Sequence, residues 1–145
     1  MTEHRCSNLE IRRLSPPEWM QAYRVMAQLR SLEEPEFLER IRRQSYSGYE
    51  LVAAFDEGTI IGVMGMRPVH TLARGAHLHI DDLVVDATGR GRGVGRSLLE
   101  YAEADALARS MTAIFLDARP DAVPFYEREK YVRHPAPSMK KVLAP

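Results

Sequence analysis

Two apolar runs, Tyr49 to Phe55 and Thr59 to Met66, flank the triplet Asp56-Glu57-Gly58. Strand-length runs on either side of an acid-acid-Gly turn predict a β-hairpin. Pro68 to Gly75 reads as the loop that follows. Ala76 to Val85 reads as a third strand of this group, ending at Asp86. Upstream, Leu9 to Leu14 alternates imperfectly and predicts a first strand. Ser15-Pro16-Pro17-Glu18 carries a helix-start signature: Ser as cap, Pro in the first turn, an acid three residues after the Ser. Trp19, Tyr23, Met26 and Leu29 then recur at three-to-four spacing, which predicts an amphipathic helix. A second helix is predicted from about Pro35 to Gln44, with Phe37, Leu38 and Ile41 on one side and a stop at Gly48. Downstream, Val94, Leu98, Tyr101, Ala102 and Ala106 mark a helix of roughly four to five turns. Thr112 to Leu116 reads as a strand and Asp121 to Glu129 as a short helix. Tyr131 to His134 and Ser138 to Leu143 read as closing strands. Helices early, a meander of antiparallel strands, then strand-helix-strand predict an α/β domain with a mixed sheet. No repeat or linker divides residues 1–145, so one domain is expected.

Composition narrows the class. The 145 residues are 45% hydrophobic, enough for a core, and 20 basic residues cancel 20 acidic ones. A neutral sum argues against a polyanion-binding or membrane-surface coat, since both need a net basic face. Residues 1–75 alone hold 10 Arg against 10 acids, so no nucleic-acid or membrane partner is expected. No apolar stretch approaches the roughly 18 residues needed to span a bilayer. The polar start of the chain carries no signal-peptide pattern. Cys6 is the only cysteine, so neither an internal disulfide nor a thiolate metal cluster is available. A soluble cytoplasmic protein without a metal is the expectation. The basic side is lopsided, with 17 Arg and 3 Lys, and this directs attention to where the arginines gather.

They gather at Leu83-Val84-Val85-Asp86-Ala87-Thr88-Gly89-Arg90-Gly91-Arg92-Gly93-Val94-Gly95-Arg96. A strand runs into a loop with glycines at alternate positions, and the loop opens the long helix. Such glycines admit positive φ and close approach of a ligand. The helix N-terminus offers unpaired N–H groups and partial positive charge, which suit phosphate. Arg90, Arg92 and Arg96 add charge, with no acid between Thr88 and Leu99. A Walker loop would need Gly-Lys-Ser/Thr at its end, and a dinucleotide fingerprint would need glycine where Arg96 stands. Neither nucleotide hydrolysis nor NAD is favoured, yet a phosphate or pyrophosphate ligand is.

With these residues in view, the chain resembles the GNAT superfamily of acetyl-CoA-dependent N-acetyltransferases. Arg90-Gly91-Arg92-Gly93-Val94-Gly95 matches the family's Arg/Gln-x-x-Gly-x-Gly/Ala loop at every fixed position. Ala122-Val123-Pro124-Phe125-Tyr126-Glu127-Arg128 resembles its second signature, Ala-x-x-Phe-Tyr-Glu-Lys. The resemblance implies a central, mostly antiparallel sheet flanked by about four helices. It also implies a splayed parallel pair, Ile80 to Val85 against Ala113 to Leu116, that holds coenzyme A in its gap. Backbone groups of Leu83, Val84 and Val85 would pair with the pantetheine arm as an added strand would. The N–H groups of Gly91, Arg92, Gly93, Val94, Gly95 and Arg96 would hold the pyrophosphate, and Arg96, with Arg128, would reach the adenosine 3′-phosphate. Homodimers are common in the resembled family, though this chain carries no independent signal for one. Two departures stand out. Arg119 replaces a frequent Asn, and Lys130 replaces a glycine that takes positive φ, at a cost of roughly 1 kcal/mol.

Acetyl transfer needs an unprotonated amine, a donor for the oxyanion and a proton for the departing thiolate. Tyr126 resembles the family's tyrosine that protonates the thiolate. His79 and Asp81 share one face of a regular strand, and a carboxylate there would raise the imidazole pKa. Asp82 matches a position where family members often carry an acid. A β-bulge between them would change this parity. His77 is expected to be exposed and His70 to lie on a loop. The first two helices, with Tyr23, Met26, Leu29, Arg30 and Phe37, resemble the family's variable substrate wall, where the acceptor pocket is expected. The expected acceptor is a primary amine of a small molecule, peptide or protein. A non-catalytic acetyl-CoA-binding sensor is the alternative under the same fold.

Overall fold

The computed structural model describes residues 9–144; Cys6 lies outside them. Five strands form one sheet in sequential order: β1 (Leu9–Arg13), β2 (Glu50–Asp56), β3 (Thr59–Thr71), β4 (Gly75–Val85) and β5 (Ile114–Leu116). The first four pair antiparallel, and β5 pairs parallel to β4. Antiparallel hairpins need only short turns, whereas the parallel step needs a crossover, and a helix supplies it. That helix is α3 (Val94–Ala108). The other helices are α1 (Tyr23–Met26), α2 (Glu34–Ser45) and α4 (Val123–Arg128). The mixed-sheet α/β architecture is as expected.

Each face of the sheet carries a core layer. On one face Leu51, Ala53 and Val63 meet Val25, Met26, Phe37 and Ile41 from α1 and α2. On the other Val52, Ala54, Met64 and Leu78 meet Val94, Leu98, Leu99 and Ala102 of α3. Alternate β2 residues serve opposite faces, as period-two side chains must. Gly62 lets α3 sit close, because a Cβ there would lie 2.7 Å from Val94 Cγ1. Salt bridges from Arg13 to Asp105 at 2.6 Å and from Arg109 to Glu50 at 2.5 Å tie the far end of α3 to β1 and β2.

Several expectations need correction. Pro68 to Thr71 belongs to β3, and the β3–β4 turn shrinks to residues 72–74. Pro68 lies beyond the end of β2, where β3 has become an edge strand, the setting that tolerates proline. His70 is therefore on a strand. His77 is buried, its ring edge-on to Phe115 at 4.9 Å and its Nδ1 3.0 Å from the Gly75 carbonyl. The segment from Pro16 to Ala22 is a 3₁₀ helix, and only Tyr23–Met26 is α-helical. Glu18 still reaches back, accepting from the Ser15 backbone N–H at 2.9 Å. Tyr131 to His134 and Ser138 to Leu143 are not strands. Alternation marks a chain that could pair, and pairing needs a neighbour. Pro135 and Pro137 interrupt this segment, and Val132, Met139 and Leu143 stay exposed. Among the described residues no helix is long and apolar enough to cross a membrane.

Candidate active site

The site is built where β4 leaves β5. The parallel ladder covers only Leu78, His79 and Ile80 against Ile114, Phe115 and Leu116. Beyond it Asp81 to Val85 keep β3 on one side and, among the described residues, have no strand on the other. This is the splayed pair. The β3 register shifts here: Gly65 opposes Asp82, while Met66 opposes Ile80. Asp81 is thus the extra residue of a β-bulge, and side-chain parity inverts across it. Ile80 packs on the α3 face, and so do Leu83 and Val85, three and five residues on. Asp82 is turned with Val84 to the α1–α2 face.

After Val85 the chain is caught by Asp86. Its carboxylate accepts from the Thr88 hydroxyl, the Thr88 N–H at 3.2 Å, Gln28 Nε2 at 2.6 Å and Arg24 Nη1 at 3.1 Å. These donors, Thr88 first and then Gln28, hold its pKa well below the usual carboxylate range. Sequence reading treated Asp86 only as a strand end; Asp-x-Thr after a strand is an Asx-turn signal that could have found it. Gly91 and Gly93 both sit at φ 78°, the left-handed region that glycine enters without a Cβ penalty. Gly93 is the N-cap of α3, so the first-turn N–H groups of α3 open onto the loop. A Cβ on Gly95 would lie 3.0 Å from Phe125 Cζ, so this glycine seats α4 against α3. The charge is less uncompensated than the linear sequence suggests. Arg92 pairs with Asp56 at 2.9 Å, and Arg96 lies 3.6 Å from Glu100 and 3.5 Å from Glu129. Tertiary structure brings these acids from the β2–β3 turn, the next turn of α3 and the end of α4. Arg90 is exposed at the loop.

On the α1–α2 face two carboxylates stand side by side, each held by arginine. Asp82 accepts from Tyr49 Oη at 2.6 Å and Arg30 Nε at 2.9 Å. Asp81 accepts from Arg67 Nε at 2.8 Å. His79 Nε2 lies 3.7 Å from Asp81 Oδ1, too far for a hydrogen bond. Asp81 does favour the charged imidazole, as expected, but burial outweighs it. The His79 pKa is lowered, and the ring is neutral at neutral pH. Next to Asp81 and Asp82 is a hollow of about 440 Å³, bounded also by Met26, Arg30, Phe37 and Ile41.

Tyr126 lies on the opposite face, on α4. Its ring packs edge-on against Phe125 at 5.0 Å and Tyr131 at 5.9 Å. Burial pushes its hydroxyl pKa above 10, so the proton stays on at neutral pH. Tyr126 and Leu116 border a hollow of about 1210 Å³, which runs along β5 toward residues 131–138. That hollow includes none of the glycine loop.

Residues 10–130 match the model of the acetyltransferase (GNAT) family. The chain belongs to the GNAT family. A Bacillus subtilis (strain 168) protein described as the uncharacterized N-acetyltransferase YhdJ is 32% identical over 117 residues, 77% of this chain and 82% of the relative. Among solved structures, ribosomal-protein-alanine N-acetyltransferase from Brucella melitensis biovar Abortus 2308 superposes with a TM-score of 0.81 at 17% identity, covering 92% of this chain and 99% of the other. An aminoglycoside acetyltransferase from an uncultured soil metagenomic sample gives 0.78 at 20%, covering 94% and 97%. At such identities the structures speak for the fold alone. That fold serves proteins named for quite different acceptors, so it does not choose one.

In this GNAT domain the splay, the glycine loop and the N-terminus of α3 adjoin along one path. Tyr126 and Asp82 come from opposite faces, and beyond Ile80 and Leu116 the β4–β5 ladder ends. Sequence reasoning named Asp82, and placed Arg30 on the substrate wall, but did not join Asp82 to Tyr49 and Arg30. They are 33 and 52 residues away in the chain, and no local pattern links them.

Proposed function

We propose that this chain transfers an acetyl group from acetyl-CoA to a primary amine, by direct attack in a ternary complex. The observation that carries the reading is the left-handed glycine loop opening α3 beside the unpaired edge of β4. The residues present fit the cofactor: φ 78° at Gly91 and Gly93 clears side chains from a cradle of N–H groups suited to pyrophosphate. The unpaired edge at Leu83, Val84 and Val85 offers backbone partners to an extended amide-bearing arm. Acetyl-CoA would supply the activated acyl thioester, and the protein supplies binding, orientation and proton handling.

The acceptor enters from the α1–α2 face. The 440 Å³ hollow is of small-molecule size, which supports a small amine over a folded protein. Asp82 takes the proton of the acceptor amine directly or through water. His79, neutral at pH 7, is a second base within the cluster. Tyr126, protonated at this pH, holds the proton for the departing thiolate from the other face. Two chemical tasks thus fall on two faces of one sheet.

Thioester consumption measured with a panel of small amines tests this reading. Amine-dependent release of free thiol is the expected result, with Tyr126→Phe lowering kcat roughly 100-fold at unchanged acetyl-CoA affinity. Tight acetyl-CoA binding without turnover of any amine would instead make the chain a sensor.

A further inference from the structure

Tyr49 is 5% exposed, at the point where the chain leaves α2 for β2. Its ring crosses β3 at Gly65, the residue directly opposite Asp82 in the β3–β4 ladder. A Cβ on Gly65 would lie 1.9 Å from Tyr49 Oη and 2.4 Å from its Cζ. No other residue type leaves room for this hydroxyl. A tyrosine that only filled the core would not need its polar end let into the sheet beside a carboxylate. The Tyr49 Oη to Asp82 Oδ2 distance of 2.6 Å lies in the charge-assisted range. Arg30 Nε holds the other oxygen at 2.9 Å, and Arg30 Nη2 donates to the Asp81 carbonyl at 2.9 Å. Burial, together with the Asp82 charge, pushes the Tyr49 hydroxyl well above its usual pKa. The phenol therefore donates at every pH the protein meets.

We propose that Tyr49, let through by Gly65, is the positioning residue that fixes the Asp82 carboxylate toward the acceptor amine. A carboxylate has about four acceptor sites. Tyr49 and Arg30 use one on each oxygen, which stops rotation and leaves the rest facing the hollow. The inference rests on the proposed acetyl transfer and deepens its acceptor side.

The test is kinetic, in the full chain, with whichever small amine the wild type consumes. Tyr49→Phe keeps the ring and removes the donor. The expected result is a roughly 10- to 100-fold fall in kcat/KM for the amine, with acetyl-CoA affinity unchanged. In an Asp82→Asn background the same change should cost no more than about 2-fold, because a positioning residue acts only through its partner. If Tyr49→Phe does not fold, Gly65→Ala carries the test. It keeps the hydroxyl but drives it off Asp82, and should show the same loss and the same dependence on Asp82. Unchanged kcat/KM, or an equal loss with and without Asp82, would overturn the positioning role and leave acetyl transfer standing. A wild type that consumes no amine overturns both.

Discussion

Lys130 follows Glu129, the C-cap of α4, at φ 74°. The end of the helix is a Schellman closure: the Lys130 N–H donates to the Glu127 carbonyl at 3.1 Å, and the Tyr131 N–H to the Tyr126 carbonyl at 3.0 Å. The accompanying apolar contact is the Tyr126–Tyr131 ring pair. A left-handed conformation costs an L-residue about 1–2 kcal/mol. Replacing Lys130 by glycine removes that cost but loosens the unfolded chain, returning about 0.5–1 kcal/mol. The balance favours Lys130→Gly by about 0.5–1 kcal/mol, a rise in Tm of about 2–3 °C for a chain of this size. Urea unfolding should show a higher midpoint with an unchanged m-value. Lys130→Ala is the control. It removes the same charge but keeps a Cβ, so it should gain nothing. A Lys130→Gly variant no more stable than wild type, or a Lys130→Ala variant that gains as much, would refute backbone strain at this position.

Three further outcomes follow from the same structure. Gly93→Asp puts an anion at the N-cap of α3, in a left-handed conformation that Asp tolerates better than most residues. Calorimetry should find acetyl-CoA binding lost with near-native melting, and normal binding would mean that the phosphates sit elsewhere. Gly62→Ala places a methyl 2.7 Å from Val94 Cγ1; overpacking should cost about 1–3 kcal/mol in urea unfolding and weaken acetyl-CoA by lifting the N-terminus of α3. A fully stable Gly62→Ala protein would refute the close approach. Arg12 and Ser15 hold Glu18, and Arg42 and Arg43 hold Glu39, at a pKa of about 2 against an ordinary 4.5, and Asp86 is also depressed. Folded values below unfolded ones mean stability that is complete above pH 4.5 and declines as pH falls toward 2. Melting temperature should fall through that window, with a smaller fall in Glu18→Gln; a flat profile would show that these bonds contribute nothing.

The glycine turn that opens α3 was legible along the chain because its parts are local. Gly91, Gly93 and Gly95 act through their own backbone, and the helix they open begins within the same few residues. Hairpins around Asp56-Glu57-Gly58 and the long α3 were legible for the same reason: period and turn chemistry are set by neighbours in sequence. The surroundings of Asp82 were not. Asp82 is a named residue whose meaning depends on Tyr49, Gly65 and Arg30, brought to it by strand register and by the packing of α1. One extra residue at Asp81 decides which face each β4 side chain meets, and periodicity cannot register such an insertion. The sign of the His79 shift likewise turned on burial, which no carboxylate two residues away reveals. The alternating tail after Tyr131 shows the converse, since a pattern fit for a strand forms none where no ladder partner meets it. Sequence alone determined the left-handed glycine turn that opens α3, because its geometry is short-range. Tertiary structure decided the carboxylate's orientation, the neutrality of the histidine and the compensation of Arg92 and Arg96, because electrostatics and burial act through space between residues far apart in the chain.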